Sequence, residues 1–173
     1  MKSTRAVSYF LTIIPFVFSC ASVTPVAKDL TKSAGGQSIK IVSVNIGPNS
    51  IIRGKSTYTP KNPSEDFIHV TLEITNISSK NMNMDFTSIK LQKKDSAGKL
   101  SDSQINPAYY RFFPVSFSGD IADDAKTMTG NDPAKPVVLK PNEKMERTLI
   151  YLLDRTFKPG KIIFSNAMNL EFP

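Results

Sequence analysis

Three kinds of side chain in this sequence could do chemistry: one thiol, one imidazole and a group of carboxylates. Cys20 is the only cysteine, and it follows an apolar run near the amino terminus. His69 is the only histidine, so a catalytic pair or metal site built on it would need a partner of another kind. The carboxylates that gather most densely are Asp120, Asp123, Asp124 and Asp132.

Cys20 stands at the end of a segment with the layout of a secretory signal. Lys2 and Arg5 precede the apolar run, and small residues surround the cysteine. A membrane-spanning helix needs about 17–25 mostly apolar residues, which is more than this run offers, and Pro15 would disturb such a helix. Residues 1–19 are therefore predicted to be a signal peptide that is removed.

The stretch Val17-Phe18-Ser19-Cys20 resembles the lipobox of bacterial lipoproteins, with an aliphatic residue three positions before the cysteine and a small residue directly before it. Phe18 departs from the small residue that is commonest at its position in the motif, although spirochaetal lipoboxes are looser. The resemblance implies that the Cys20 thiol receives a diacylglycerol and that Cys20 becomes the first mature residue. Two acyl chains would hold the protein on a membrane permanently. The alternative is an ordinary signal peptide whose last residues include a cysteine.

The mature chain would have about 154 residues, enough for one domain with a sizeable core. It would contain no cysteine pair, so apolar burial must stabilise the fold without disulfides. Removing Lys2 and Arg5 lowers the formal net charge from +7 to +5. No helix or stripe collects this charge, which argues against nucleic acid as a partner.

Residues 21–37 are small and polar, contain Pro25 and the Gly35-Gly36 pair, and show neither the helical nor the strand period. Such a composition predicts a flexible tether that spans roughly 20–25 Å. The predicted organisation is a signal peptide (1–19), a lipidated tether (20–37) and one β-domain (38–173).

Strand patterns dominate the rest of the chain. Apolar and polar residues alternate over residues 66–75, which predicts a half-buried strand. The run 39–46 changes phase at Ile41-Val42, which predicts either a bulge or a strand covered on both sides. Further strands are predicted at 86–93, 137–139, 145–153, 162–164 and 170–172. The predicted core residues are Ile68, Val70, Leu72, Ile74, Ile89, Leu91, Leu149, Tyr151, Ile162 and Phe164.

Turn residues separate these strands. Clusters at 95–98 and 140–143 predict turns, and Lys158-Pro159-Gly160 has the residue order of a type II turn. No long stretch keeps a helical period. The sequence therefore predicts a mainly β fold, with about seven strands in an antiparallel two-sheet sandwich.

Residues 39–172 also resemble an immunoglobulin-like domain of unknown function found in secreted bacterial lipoproteins and in a mycobacterial antigen. The landmarks are "HVTLEITNISSKNM", "IKLQKKDSAGK" and "LKPNEKMERTLIYLL". Asn142 stands where that family usually has glycine, and Tyr151 where it often has phenylalanine. The resemblance implies an immunoglobulin-like sandwich.

Two loops offer candidate sites. Asp120, Asp123, Asp124 and Asp132 could supply oxygen ligands to calcium, but their spacing matches no EF-hand loop and Lys126 lies among them, so a solvated loop is the favoured interpretation. The second candidate is an aromatic cluster, which either fills the core or forms an exposed protein-binding patch; the absence of Trp favours the core. Its members are Tyr109, Tyr110, Arg111, Phe112 and Phe113.

These features predict a lipid-anchored envelope lipoprotein at the outer membrane that acts as a protein-binding or adhesive module. The alternative is a periplasm-facing structural or accessory lipoprotein of an envelope complex. An enzyme is disfavoured because no nucleophile has a base partner, and His69 is expected to be a plain surface histidine. We expect no cofactor, nucleic acid or small-molecule substrate. The expected partners are the membrane, through Cys20, and another protein.

Overall fold

The computed structural model describes residues 22–53, 56–108, 137–165 and 168–173. Within these ranges the backbone forms twelve strands and one short 3-10 helix, at Phe86–Ser88. The strands are β1 (Thr24–Ala34), β2 (Gln37–Ile46), β3 (Ile51–Arg53), β4 (Ser56–Tyr58), β5 (Glu65–Asn76), β6 (Met82–Met84), β7 (Lys90–Lys94), β8 (Leu100–Ile105), β9 (Val137–Leu139), β10 (Lys144–Asp154), β11 (Lys158–Ser165) and β12 (Met168–Glu171). This exceeds the seven strands expected, mainly because four of the twelve are only three residues long.

Eight strands form two four-stranded sheets, in the orders β1-β2-β5-β10 and β12-β11-β7-β8. Every pairing in them is antiparallel. One apolar core contains residues from both sheets, so the fold is mainly β and consistent with a β-sandwich. The short strands form two further pairs, β3 with β4 and β6 with β9.

Strand β5 lies inside the first sheet and confirms the alternation predicted for residues 66–75. Its core-facing residues include Val70, Leu72 and Ile74, which are fully buried. Of the two alternatives for β2, the bulge is confirmed, because the register between β2 and β5 shifts between Ile41 and Ser43. All ten predicted core residues are buried.

Phe67 is a core residue that alternation alone does not predict, because it lies on the outer face of β5. It packs with Ile51 and Ile150 in a second apolar cluster, against which Tyr58 rests. Ile51 and Tyr58 belong to the β3–β4 hairpin. This hairpin therefore covers part of the outer face of the first sheet.

The predicted tether is wrong over most of its length, because Thr24–Ala34 is strand β1. Ala34 pairs with Gln37, and the two glycines between them have φ angles of 59° and 79°. Positive φ at both central residues is the geometry of a type I′ hairpin, for which Gly-Gly is a favoured sequence. Leu30 and its half-buried neighbours pack against the core, which stabilises the strand despite its polar composition.

Two of the three predicted turns are confirmed. Gly98 N–H donates to the Asp95 carbonyl at 3.0 Å, and Glu143 N–H donates to the Lys140 carbonyl at 3.0 Å. Asn142 has a φ of 62°, as the third residue of a type II turn requires.

The type II turn predicted at residues 158–160 is wrong, because they begin strand β11. The chain reverses earlier, where Phe157 N–H donates to the Asp154 carbonyl at 3.0 Å. Gly160 instead allows β11 to pack closely against β7 and β8. A Cβ atom there would lie 2.6 Å from Leu100 Cδ2 and 3.1 Å from the Gln92 carbonyl oxygen.

Candidate functional site

Most of the site residues predicted from sequence lie outside the described residues. These are Cys20, the aromatic cluster Tyr109, Tyr110, Arg111, Phe112 and Phe113, and the carboxylates Asp120, Asp123, Asp124 and Asp132. In the part of the chain that the structure describes, no group of three or more His, Cys, Asp or Glu side chains could hold a metal ion. No helix among the same residues is long and apolar enough to cross a membrane.

His69 is half-buried, which corrects the expectation of a plain surface histidine. Its Nε2–H donates to the Pro48 carbonyl at 3.2 Å, and its ring meets the Phe67 ring edge-on with centroids 6.2 Å apart. Burial lowers the pKa of His69, and the Pro48 hydrogen bond opposes that shift only in part. A neutral imidazole with one nitrogen committed to a backbone carbonyl is suited to a packing role.

The end of the sandwich where β1 begins is the described region nearest in sequence to Cys20; we call it the proximal end. The start of β1, the end of β2 and the first half of β5 lie side by side at this end, because Thr24 pairs with Ile46 and Ile46 pairs with Ile68. In the second sheet, Lys94 pairs with Lys158 at the same end. The proximal end consists of residues 22–24, 47–50, 95–99 and 154–158.

The loop 47–50 packs closely under the first described residue. Gly47 has a φ of +76°, and a Cβ atom on it would lie only 2.5 Å from the Ser22 carbonyl oxygen. The Asn49 side chain accepts a hydrogen bond from Phe67 N–H at 2.9 Å and donates to Asp66 at 2.5 Å. Ser22 is therefore held against an ordered loop.

Lysines on β7, on β11 and in the turn between β7 and β8 give the proximal end a basic edge. The Lys93 ammonium lies 3.7 Å from the centroid of the Phe157 ring, and Lys94 donates to the Phe172 carbonyl at 3.2 Å. Lys99 and Lys158 are exposed. Among the described residues, neither ammonium has a carboxylate within salt-bridge distance.

Carboxylates at the same end bind neighbouring groups. Asp95 accepts hydrogen bonds from the backbone N–H groups of Ala97 and Lys99, both at 2.9 Å. Asp66 pairs with Arg155 Nε at 2.8 Å. The pKa of the Asp154 carboxyl is lowered, chiefly by the hydrogen bond from Thr156 N–H. The exposed lysines thus lie beside acids that are already engaged.

We call the opposite end of the sandwich, where β5 ends at Asn76, the distal end. Hydrogen bonds from the buried side chain of Asn76 connect the segments there. Its amide nitrogen donates to the carbonyls of Lys80 and Leu139, at 2.8 and 2.9 Å. Ile77 and Val138, each next in sequence to a residue of this network, are 52% and 54% exposed. The distal end therefore presents two large apolar side chains to solvent.

Comparison with known proteins bears on the fold and not on the function. No protein-family description matches the chain, and no curated protein matches it. A crystal structure of a conserved hypothetical protein from Bacillus anthracis is similar, with 18% identity and a TM-score of 0.54, over 88% of this chain and 99% of that one. The likeness shows the fold alone. A functionally unknown protein from Listeria monocytogenes EGD-e aligns with 15% identity and a TM-score of 0.45, over 79% of this chain and 70% of that one.

Sequence reasoning missed the proximal loop, although its signal is present. Gly47-Pro48-Asn49 directly follows a β-branched strand, and such combinations mark a turn. The contact between Gly47 and Ser22 joins residues 25 positions apart in sequence, which no local pattern reveals.

Proposed function

We propose that the protein is an envelope lipoprotein, anchored through diacylglycerol on Cys20, whose β-domain binds another protein. The carrying observation is the order of the first residues: a charged and then apolar segment, Val17-Phe18-Ser19-Cys20, and strand β1 starting at Thr24. An acylated cysteine in this position would fix the domain beside a membrane.

The anchor is tested by metabolic labelling with radioactive palmitate. We expect label in the wild-type protein and none in Cys20→Ala, because Cys20 is the only thiol in the chain. A Ser22→Ala variant serves as the matched control and should be labelled like the wild type. Equal labelling of wild type and Cys20→Ala would overturn the anchor.

The position of His69 supports a binding module over an enzyme. Its Nε2–H donates to the Pro48 carbonyl and its ring packs on Phe67, so it is poorly placed to act as a general base. In our proposal the two sheets serve as a scaffold, and the loops at their ends and the aromatic cluster at residues 109–113 provide binding surface.

A more specific fold assignment, immunoglobulin-like, belongs to the same proposal. The order β12-β11-β7-β8 corresponds to the G-F-C-C′ sheet of that fold, which supports the assignment. Strands β2, β5 and β10 then correspond to A, B and E of the A-B-E-D sheet, and β1 is an additional edge strand beside A. An experimental structure in which β11 does not lie between β12 and β7 would contradict the assignment.

The alternative function, a periplasm-facing accessory lipoprotein, gains support from strand β1. Only three residues separate Cys20 from Thr24, so the domain would stay close to the lipid and would suit a partner near the membrane. Protease treatment of intact cells separates the two functions. Cleavage in intact cells supports surface display, whereas cleavage only after outer-membrane permeabilisation supports the periplasmic form.

A pull-down from envelope extracts tests the binding surface. We expect the double variant Tyr109→Ser and Tyr110→Ser to lose a partner that the wild type retains. The double variant Ile77→Ser and Val138→Ser is the comparison: it removes exposed apolar side chains at the distal end and leaves both tyrosines in place. If the tyrosine variant is folded and keeps every partner, the aromatic cluster is not the binding site.

A further inference from the structure

The covalent chain sets a short distance between Cys20 and the sandwich. An extended chain spans at most about 3.6 Å per residue, so the Cα atom of Thr24 lies within about 14 Å of that of Cys20. Ser22, two residues after Cys20, is already packed against Gly47. An acyl group on Cys20 would therefore bring the proximal end to the lipid headgroups.

The charges at the proximal end suit such a surface. Lys99 and Lys158 are exposed and, among the described residues, have no carboxylate within salt-bridge distance. The nearby acids Asp66, Asp95 and Asp154 accept hydrogen bonds from protein donors. Lysines near an anionic bilayer are attracted to it, and one lipid signal combined with basic residues binds more firmly than either alone.

We propose that the proximal end of the sandwich rests on the membrane and that Lys99 and Lys158 bind anionic phospholipid headgroups. This deepens the proposed function and rests on its lipid anchor for the orientation of the domain. The interaction is a second contact with the bilayer, and it directs the distal end, with Ile77 and Val138, away from the lipid.

Vesicle binding by the unacylated protein tests the lysines. The chain is residues 20–173 with Cys20→Ala, which retains every described contact because these all lie between Ser22 and Pro173. We compare vesicles that contain phosphatidylglycerol with vesicles of phosphatidylcholine alone. We expect binding to the anionic vesicles only, and a decrease in that binding of roughly 10–30-fold in the double variant Lys99→Gln and Lys158→Gln.

The matched control is the double variant Lys80→Gln and Lys140→Gln. It removes the same net charge from exposed positions at the distal end. We expect it to bind the anionic vesicles within about two-fold of the parent chain, because its lysines would face away from the bilayer. Equal losses in the two double variants would overturn the proposal, since they would indicate attraction by net charge without a defined face.

A fluorescent reporter tests orientation independently. The Cys20→Ala chain has no cysteine, so Ser96→Cys and Ser79→Cys each carry one environment-sensitive dye. Ser96 lies in the proximal turn and Ser79 near the distal end, and both are exposed. We expect a blue shift on anionic vesicles for the dye at position 96 and none at position 79. A shift at position 79 alone, or at neither position, would overturn the proposal.

These measurements distinguish failure of the membrane contact from failure of the anchor. Palmitate labelling of Cys20 without vesicle binding by the unacylated chain leaves the anchor intact and removes the lysine contact. Vesicle binding without palmitate labelling removes the anchor and leaves a peripheral, salt-sensitive contact through Lys99 and Lys158.

Discussion

Asn142 adopts a left-handed backbone conformation, with a φ of 62°, in the turn that leads into β10. Asparagine tolerates this region better than most residues, and glycine tolerates it best. We expect Asn142→Gly to change the free energy of unfolding by less than about 0.5 kcal/mol and Asn142→Ala to lower it by about 1 kcal/mol. Urea denaturation measures both. Equal effects of the two substitutions would mean that backbone strain does not decide the choice of residue here.

Gly47 combines a positive φ with a close contact, and Gly98 has the positive φ alone. A Cβ atom on Gly47 would lie 2.5 Å from the Ser22 carbonyl oxygen, whereas nothing lies within 4 Å of one on Gly98. We expect Gly98→Ala to cost about 1 kcal/mol of stability and Gly47→Ala about 2 kcal/mol more, because the chain at Ser22 must move. If thermal and urea unfolding give the same loss for both variants, Ser22 does not rest on the loop.

His69 should make stability depend on pH. Burial lowers its folded pKa below the ordinary value of 6.5, so on acidification the unfolded chain binds a proton first. Stability is therefore complete above about pH 6.5 and decreases as pH falls below that value towards the lowered folded pKa. Model-peptide carboxyl groups titrate near about pH 4, well below the histidine range, which leaves a window in which histidine can be followed.

Urea midpoints measured between about pH 7.5 and about pH 5 check this dependence. The wild type should lose stability across the interval. His69→Gln, which keeps a side-chain donor for the Pro48 carbonyl but does not titrate, should lose much less. Parallel pH profiles for the two proteins would contradict the role assigned to His69.

At the scale of elements, β1 changes the expected behaviour of the amino-terminal segment. As an edge strand paired with β2 along its length, it should protect the backbone amides that bond across the pair. We expect hydrogen exchange at least roughly 100-fold slower than in an unstructured peptide for those amides. The exposed residues Thr59, Lys61 and Asn62 are the internal reference, and their amides should exchange fast. If the amides of residues 24–34 are all unprotected, the segment is a flexible tether and not a strand.

Alternation predicts strands only where one face is buried and the other is wet. This holds for β5, whose Val70, Leu72 and Ile74 face the core. Alternation does not predict strand β1, because edge strands often carry polar residues on both faces. The sequence feature that best indicates this strand is the Gly35-Gly36 pair, which is typical of a hairpin turn. Phe67 escapes because the hairpin that covers it is contributed by other segments.

The candidate sites show the same division between local and long-range information. The cysteine motif is a local chemical signal, so the sequence alone suffices to propose lipidation of Cys20. The Nε2–H of His69 donates to a carbonyl 21 residues away, and Lys99 and Lys158 lie at the same end of the sandwich because β7 pairs with β11. Local patterns thus predict chemistry, whereas the register of strands decides which groups share a surface.

For the whole molecule, β12 is the element that completes the sandwich. Phe172 directly follows it and is buried, its N–H donates to the Gly160 carbonyl at 2.7 Å, and its own carbonyl accepts from Lys94. Strand β12 also contacts the other sheet: the Lys32 side chain of β1 donates to the Asn169 carbonyl of β12 at 3.1 Å, which links the two sheets. Phe172 is thus part of the apolar core and is hydrogen-bonded to β7 and β11.

We expect Phe172→Ala to lower the free energy of unfolding by about 3–5 kcal/mol, a large part of the total for a domain of this size. Phe172→Leu should cost less than about 2 kcal/mol because most of the apolar volume remains. Val138→Ala, at an exposed position, should stay within about 0.5 kcal/mol of the wild type. The chain contains no Trp, so far-ultraviolet circular dichroism and the near-ultraviolet signal of its tyrosines follow unfolding. Coincident transitions by the two signals would indicate one cooperative unit, whereas a near-neutral Phe172→Ala would mean that β12 frays independently of the sandwich.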